Sequence, residues 1–242
     1  MNPAAEKLFD IIHEDADLLV INKPAGLACH PTKGDAYSSL ISRIRLHVGP
    51  EIQPHLINRL DRETSGVIIV AKNPTRALTL RRLWEGGEVQ KQYLAIVHGH
   101  AAGDGVIEAP LGRDEASIVA IKDKVRTDGA LSTTRYRVLS RFERPEGMFS
   151  LLEVEPLTGR KHQIRIHLAH IGHPIVGDKM YGLDENMYLD FVKSRLTAEQ
   201  KCVLILPHQA LHAAAVTFES RTFRAQPEPW FTAFLPSSSA LP

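Results

Sequence analysis

The chain has 242 residues, of which 43% are hydrophobic and 24% are charged, and its formal net charge at pH 7 is +1. These values are typical of a globular protein with one sizeable core. No stretch approaches the roughly 18 uninterrupted apolar residues of a membrane helix, and the N-terminus lacks the pattern of a signal peptide. Cys29 and Cys202 form no Cys-x-x-Cys pair. We therefore expect free thiols, no membrane partner and a cytoplasmic protein.

Positive charge is concentrated in two stretches although the net charge is small. Residues 58–82 contain six basic residues against two acidic ones, and residues 156–182 contain four against one. If the two stretches share one face, they form a phosphate-binding patch. Two solvated faces that never meet are an equally good interpretation of the sequence.

The first third of the chain predicts alternating strands and short helices. Residues 18–23 read as a strand followed by a Pro-Ala-Gly turn, and a polar loop follows around residues 30–34. Residues 38–48 have the apolar spacing of a short helix. Residues 67–71 form an apolar run of strand length, and Asn73-Pro74 begins a helix whose apolar face is Leu78, Leu83 and Trp84, ending at Gly86-Gly87.

The rest of the chain predicts more strands than helices. Helices are expected over 163–171 and 184–196, and residues from 237 on should be frayed. The apolar run at 202–206 has strand length. The other predicted strands are 93–97, 107–111, 133–139, 149–154, 210–218 and 222–225. Strands without regular βαβ alternation favour an α+β fold with a mainly antiparallel sheet, and nothing indicates a linker or a second domain within 1–242.

An aspartate between two arginines stands out in the segment Asn58–Gly66. Asp61 lies between Arg59 and Arg62 in a turn-prone loop that precedes the strand at 67–71. Neighbouring cations favour the ionised carboxylate, which suits a nucleophile or a base. A surface salt bridge is the simpler interpretation, and these residues alone favour it.

Two further segments carry candidate functional side chains. Arg165 lies on the predicted helix at 163–171, where it either pairs with a buried carboxylate from elsewhere in the chain or is an ordinary exposed arginine. Tyr93 begins a predicted strand, where a tyrosine is usually a core or edge residue. Its ring could instead stack on an extruded nucleobase.

Four histidines at 162, 167, 170 and 173 suggest metal binding at first sight. They do not have the His-Glu-x-x-His spacing and no acidic residue lies between them, so we expect no metal site. Ser65 with a histidine would resemble a hydrolase pair, but the Gly-x-Ser-x-Gly elbow is absent.

Five segments, taken together and in order, resemble the RluA-type RNA pseudouridine synthases. The central one is Asn58–Gly66, which matches the motif Arg-Leu-Asp-x-x-Thr-Ser-Gly. The other four are Lys-Pro-Ala-Gly at 23–26 with His-Pro at 30–31, Lys-x-Tyr-x-Ala at 91–95, the long segment 158–182, and Leu-His-Ala at 211–213. One such motif would be weak evidence, whereas five in order make coincidence improbable.

The resemblance implies a fold, an activity and a set of site residues. The fold would be a long, mainly antiparallel mixed sheet in two halves with flanking helices and a central RNA-binding cleft. The activity would be isomerisation of a uridine in structured RNA, after the base is flipped out. Asp61 would be catalytic, Tyr93 would stack on the base, Arg165 would pair with Asp61, and Arg59 would fill the gap in the RNA. The other expected substrate-binding residues are Arg62, Thr64, Arg160, His162 and Gln163.

The same resemblance implies RNA, either ribosomal or transfer RNA, as the partner. Neither DNA nor a cofactor is expected, and we expect a monomer. The family usually has His at position 58 where this chain has Asn, which keeps hydrogen-bonding ability without the imidazole. We expect no S4-like RNA-binding module, since only seventeen residues precede Leu18. A non-catalytic RNA-binding protein on the same scaffold is the competing function, and the joint presence of Asp61, Tyr93 and Arg165 argues against it.

Overall fold

The computed structural model describes residues 9–31 and 38–237. Most of the predicted polar loop at 30–34, and all but the first residue of the tail from 237, lie outside these ranges. The strands are β1 (Asp10–Glu14), β2 (Leu18–Lys23), β3 (His55–Leu56), β4 (Ser65–Ala71), β5 (Gln90–His98), β6 (Gly105–Glu108), β7 (Leu111–Arg113), β8 (Asp123–Val125), β9 (Thr133–Arg144), β10 (Gly147–Pro156), β11 (Leu211–Phe218) and β12 (Arg221–Arg224). The helices are α1 (Leu40–Val48), α2 (Pro74–Glu85), α3 (Gln163–His170), α4 (Asn186–Val192), α5 (Ala198–Leu204) and α6 (Pro229–Thr232).

The chain divides into two compact units. The first consists of Met1–Lys91 with His212–Glu228, and the second of Gln92–Leu211 with Pro229–Pro242. Each unit contains strands that pair mostly antiparallel, together with a few helices, so the predicted α+β fold class with a mainly antiparallel mixed sheet is confirmed. The prediction of one domain over 1–242 stays a prediction.

The sheet of the first unit has the order β1-β2-β4-β11, with β3 also paired to β4 and β12 to β11. All seven residues of β4 are buried, and the five at 67–71 are those of the apolar run seen in the sequence. On one side Val67 and Ile69 pack with Ala77 and Leu80 of α2. The pair β4–β11 is parallel, whereas the neighbouring pair β2–β4 is antiparallel.

Helix α2 begins where the sequence predicts, but its buried face is different. The Asn73 side chain caps it by accepting a hydrogen bond from the Arg76 backbone N–H at 2.8 Å. Leu83 and Trp84 are partly buried as expected, whereas Leu78 is 52% exposed and the predicted face is wrong there. Small Ala77 faces the sheet instead.

The sheet of the second unit has the order β5-β10-β9-β6, with every pair antiparallel. Strands β7 and β8 form a separate two-stranded ribbon. Helix α3 packs against β8, β9 and β10. All residues from Gln163 to Leu168 are buried, so Arg165 is not the exposed helix arginine that the sequence left open.

Three predicted elements differ from those observed. The strand expected over 107–111 is interrupted between β6 and β7 at Pro110, which has no N–H to donate. The apolar run at 202–206 has the length of a strand, but its first three residues belong to helix α5. Thr197 and Gln200 form the capping box that starts this helix. The helix expected over 184–196 is limited to Asn186–Val192.

In the two ranges that the structure describes, no helix combines the length and the apolar character needed to cross a membrane.

Candidate active site

Asn58 fixes the beginning of the loop that carries Asp61. Its side-chain Nδ2 donates to the Val67 carbonyl at 3.1 Å, and its Oδ1 accepts from the Ile69 N–H at 2.8 Å. The amide therefore imitates the backbone of a neighbouring strand along β4. A side chain with one donor and one acceptor is needed for this arrangement, which explains how asparagine holds the loop at a position where the family usually has histidine.

Lys23 fixes the middle of the same loop through its side-chain ammonium. Its side chain is fully buried, and Nζ donates to the carbonyls of Pro24 and Leu27, both at 2.9 Å, and of Arg62 at 3.1 Å. Burial lowers the pKa of Lys23 to about 8, against the opposing effect of anionic neighbours that include Asp61. A buried ammonium thus acts on the backbone and on the electrostatics of the Asp61 segment.

The turn at 24–29 is tied to the loop by two further contacts. Arg62 Nε donates to the Gly26 carbonyl at 3.0 Å, and Cys29 Sγ lies 3.3 Å from the Leu60 carbonyl. The structure therefore leaves Cys29 a free, buried thiol, and Cys202 is free and exposed, as the sequence predicts. The lysine-proline-glycine turn and the aspartate loop form one hydrogen-bonded assembly.

Ser65 and His212 fix the end of the loop. Ser65 Oγ is hydrogen bonded to His212 Nδ1 at 2.9 Å, while His212 Nε2 lies 3.0 Å from the Ala225 carbonyl. Both side chains are buried, and burial lowers the pKa of His212. Since Nε2 must donate its proton to the carbonyl, Nδ1 of neutral His212 carries no proton and accepts a hydrogen bond from the Ser65 hydroxyl.

Gly66 allows β4 and β11 to approach closely at this point. Its φ is +115°, and a Cβ there would collide with the backbone of Ala213. Any side chain at position 66 would separate the two strands and with them the Ser65–His212 contact. The glycine of the motif therefore has a local structural cause.

The loop presents its polar side chains in two different environments. Asp61 is half-buried and its carbonyl accepts from the Thr64 N–H at 3.2 Å, which closes a turn. Arg59 and Arg62 are exposed, whereas Thr64 is only 2% exposed. Asp61 is therefore less exposed than the arginines on either side of it.

In the second unit, Arg165 lies in a buried ion pair. Its Nε and Nη2 donate to the two carboxylate oxygens of Asp178 at 2.6 and 2.8 Å. Arg165 is 5% exposed and Asp178 is fully buried. A bidentate pair of this kind fixes the plane of the guanidinium as well as its position.

The turn before α3 is held by Gln163. Its Oε1 accepts from Thr158 Oγ1 and from the Arg160 N–H, and its Nε2 donates to the Thr133 carbonyl and to Thr134 Oγ1, all within 2.7–3.0 Å. The substrate-binding role predicted for Gln163 stays a prediction, and this network favours an indirect form of it. Arg160, in contrast, is exposed.

His162 and His167 have different surroundings. His162 has a left-handed backbone with φ of 55°, and its Nδ1 is 2.9 Å from Tyr181 Oη. His167 is fully buried between Thr134 Oγ1 and the Ala109 carbonyl, and burial lowers its pKa. Among the described residues no group of three or more His, Cys, Asp or Glu side chains is arranged to hold a metal ion.

Tyr93 lies near the start of β5, directly opposite Val154 of β10, which in turn is opposite Tyr136 of β9. Its side chain is half-buried. The two tyrosines therefore occupy one face of the sheet of the second unit, on either side of a buried valine. A half-buried ring is one that can present a face for stacking.

Sequence reasoning assigned no role to four residues that the structure makes prominent. They are Lys23, Asp178, Tyr181 and His212. All four lie inside the motifs described above, and membership of a motif was the one feature of the sequence that could have identified them. Their roles depend on contacts between distant parts of the chain, which local patterns do not reveal.

Comparisons with known proteins agree on one family. A family model described as RNA pseudouridylate synthase matches residues 17–170. The chain is 37% identical to a protein of Bacillus subtilis named as an RNA pseudouridine synthase, over 180 residues that cover 72% of this chain and 57% of that protein. It is also 37% identical to ribosomal large subunit pseudouridine synthase D of Nitrosomonas europaea, over 207 residues that cover 84% and 56%.

A solved structure shows the same likeness. Human RNA pseudouridylate synthase domain containing 4 superposes with a TM-score of 0.70 at 27% identity, over 92% of this chain and 90% of that chain. The chain spans about half the length of the first curated relatives it matches.

Proposed function

The chain belongs to the RNA pseudouridylate synthase family, and on that premise we propose that it converts a uridine in structured RNA to pseudouridine, with Asp61 as the catalytic carboxylate. The observation that carries the proposal is the confinement of the Asp61 loop. Asn58, the Lys23 ammonium and Ser65 hold it at its beginning, middle and end. A surface salt bridge needs no such support.

The reaction sets clear demands on the protein. The bond from N1 of the base to C1′ of the sugar breaks, the uracil turns, and a bond from C5 to C1′ forms while the C5 proton is lost and N1 regains one. The base must first leave its stack, at a cost of a few kcal/mol. Basic residues hold the phosphates meanwhile. No oxidation state changes and no water is consumed, so the chemistry calls for neither cofactor nor metal.

Asp61 must be ionised for every route that this chemistry offers. The three alternative routes are attack of the carboxylate on C1′, attack on C6 of the base, and removal of the C2′ proton. The nearby Lys23 ammonium favours the anion. We propose that the Arg165 guanidinium favours it too, in the role that the family resemblance implies. A guanidinium carries five N–H donors, so its two bonds to Asp178 are compatible with a further one.

The remaining side chains divide into those that meet the RNA and those that shape the site. Tyr93 stacks on the flipped base, where stacking is worth about 1–3 kcal/mol. Exposed Arg59 fills the gap left in the RNA, and exposed Arg62 and Arg160 bind phosphates. Thr64, His162 and Gln163 act from within the protein, by holding the turns that carry these residues.

Ribosomal RNA of the large subunit is the proposed substrate. Several of the relatives are named as ribosomal large subunit pseudouridine synthase D, and this chain is 33–37% identical to them. Transfer RNA is the alternative substrate, and a non-catalytic RNA-binding protein is the alternative function.

The test is to incubate the purified protein with unmodified transcripts of large-subunit ribosomal RNA and of transfer RNAs. Pseudouridine is then mapped by carbodiimide labelling and primer extension. New pseudouridine at a defined position of the ribosomal RNA is expected. Product confined to transfer RNA would overturn the substrate, and tight RNA binding without product in either would overturn the enzymatic function. A map of ribosomal RNA from cells with and without the gene identifies the position.

A further inference from the structure

Two residues of one short segment of the second unit, 178–181, contact the Arg165 guanidinium. Asp178 holds the edge of the guanidinium through two hydrogen bonds at 2.6 and 2.8 Å. The ring of Tyr181 covers its face, with the Arg165 Cζ 5.0 Å from the ring centroid. One residue thus restrains the guanidinium within its plane and the other restrains it perpendicular to that plane.

The segment is itself rigid. Asp178 Oδ1 also accepts from the backbone N–H groups of Met180 and Tyr181, at 2.9 and 3.2 Å. The carboxylate therefore organises the turn that delivers the tyrosine ring to the same arginine. Both residues are buried, Asp178 fully and Tyr181 to 5% exposure.

The hydroxyl of Tyr181 is held as firmly as its ring. Oη accepts from the Asp123 N–H of β8 at 3.3 Å and is hydrogen bonded to His162 Nδ1 at 2.9 Å. Burial raises the pKa of Tyr181, so the phenol stays neutral beside the cation. The ring is consequently fixed at both ends, by its backbone and by its hydroxyl.

We propose that Asp178 and Tyr181 are positioning residues that hold the Arg165 guanidinium in one orientation during catalysis. The inference rests on the proposed function, because it gives Arg165 a task that depends on orientation. An arginine retained for its charge alone would need neither a bidentate carboxylate nor a covering ring. A Lys at position 165 would supply the charge without the planar fork.

The variants Tyr181→Phe and Tyr181→Leu separate the ring from the hydroxyl. Phe keeps the ring over Arg165, and Leu removes it. We expect kcat to fall no more than about threefold for Phe and about 30-fold for Leu, while KM for RNA stays within about twofold for both, because phosphate contacts are untouched. Leu189→Ala is the control, since Leu189 packs against the same cluster without a ring or a charge.

A purely structural role predicts a different pattern. In that case Tyr181→Leu and Leu189→Ala would lower the melting temperature and leave kcat per folded molecule alike in both. That result would overturn the proposal. So would equal losses of kcat in Phe and Leu, because the ring would then not matter.

A second readout does not depend on activity. The Nε–H of Arg165, assigned in a ¹⁵N spectrum by its disappearance in Arg165→Lys, should exchange slowly with solvent in the wild type. It should exchange at least tenfold faster in Tyr181→Leu and in Asp178→Asn. Unchanged exchange in folded variants would contradict the positioning role even if the wild type proves inactive on RNA. Absence of pseudouridine with slow exchange intact would instead count against the proposed function alone.

Discussion

Replacing Lys23 with methionine should change the way stability depends on pH. The lysine is fully buried, and its ammonium donates to three backbone carbonyls, including that of Arg62 beside Asp61. Methionine has similar length and no charge to desolvate. Comparing the wild type with Lys23→Met therefore isolates the titration of one buried amine.

The magnitude follows from the pKa. Burial lowers the pKa of Lys23 from its ordinary 10.5 to about 8. Between these values the unfolded chain holds a proton that the folded protein has released, so the free energy of unfolding rises with pH. At about 1.4 kcal/mol for each pH unit, the rise amounts to about 3 kcal/mol.

The measurement is urea unfolding of wild type and Lys23→Met from pH 7 to pH 11. Across that range the free energy of unfolding of the wild type should rise by about 3 kcal/mol relative to that of the variant. Both proteins should carry Cys29→Ala, because burial raises the pKa of that neighbouring thiol and its titration would add to the pH dependence. Lys201→Met on the exposed side of α5 controls for the loss of any lysine. If the difference in unfolding free energy between wild type and Lys23→Met stayed constant or fell as the pH rose, the conclusion that burial lowers the pKa of Lys23 would be refuted.

Three further predictions concern acid stability, stacking and metal. Burial lowers the pKa of His212 below 6.5, so the free energy of unfolding should fall as the pH drops below 6.5, and less steeply in His212→Asn; equal slopes at pH 5 to 7 would contradict this. Tyr93→Phe should retain more pseudouridine formation than Tyr93→Ala, since the ring supplies about 1–3 kcal/mol of stacking, and equal losses would implicate the hydroxyl. Activity on prefolded RNA should survive excess EDTA, whereas loss with EDTA and recovery with stoichiometric zinc would restore the histidines as a metal site.

Elements with a strong local signal could be predicted from the sequence. Strand β2 matches its predicted bounds, and α2 starts at the Asn73 cap, because an apolar run that ends at a Pro-Ala-Gly turn and a capping side chain are both signals confined to a few residues. The unbroken apolar run of β4 likewise reports burial on both faces. The length of the apolar run at 202–206 did not identify its structure, because a short apolar stretch fits a strand and a helix equally well. The capping box at Thr197 makes it part of a helix.

The candidate site shows the same limit. The motif around Asp61 identified the loop, but what holds that loop lies far away in sequence, at Lys23 and His212. The sequence left open that Arg165 pairs with a buried carboxylate, and Asp178 is one such carboxylate; the pairing of Arg165 with Asp61 stays a prediction. Thirteen residues separate Arg165 from Asp178, and no periodicity links them.

The central claim is that Asp61 performs the chemistry, and Asp61→Asn tests it most directly. Asparagine is nearly isosteric and cannot act as an anionic nucleophile or base. Single-turnover pseudouridine formation on the RNA identified by mapping should be abolished, while RNA affinity stays within about tenfold, or about 1.4 kcal/mol, because the arginines that bind phosphates remain. Substantial pseudouridine formation by the purified Asp61→Asn protein would contradict the account.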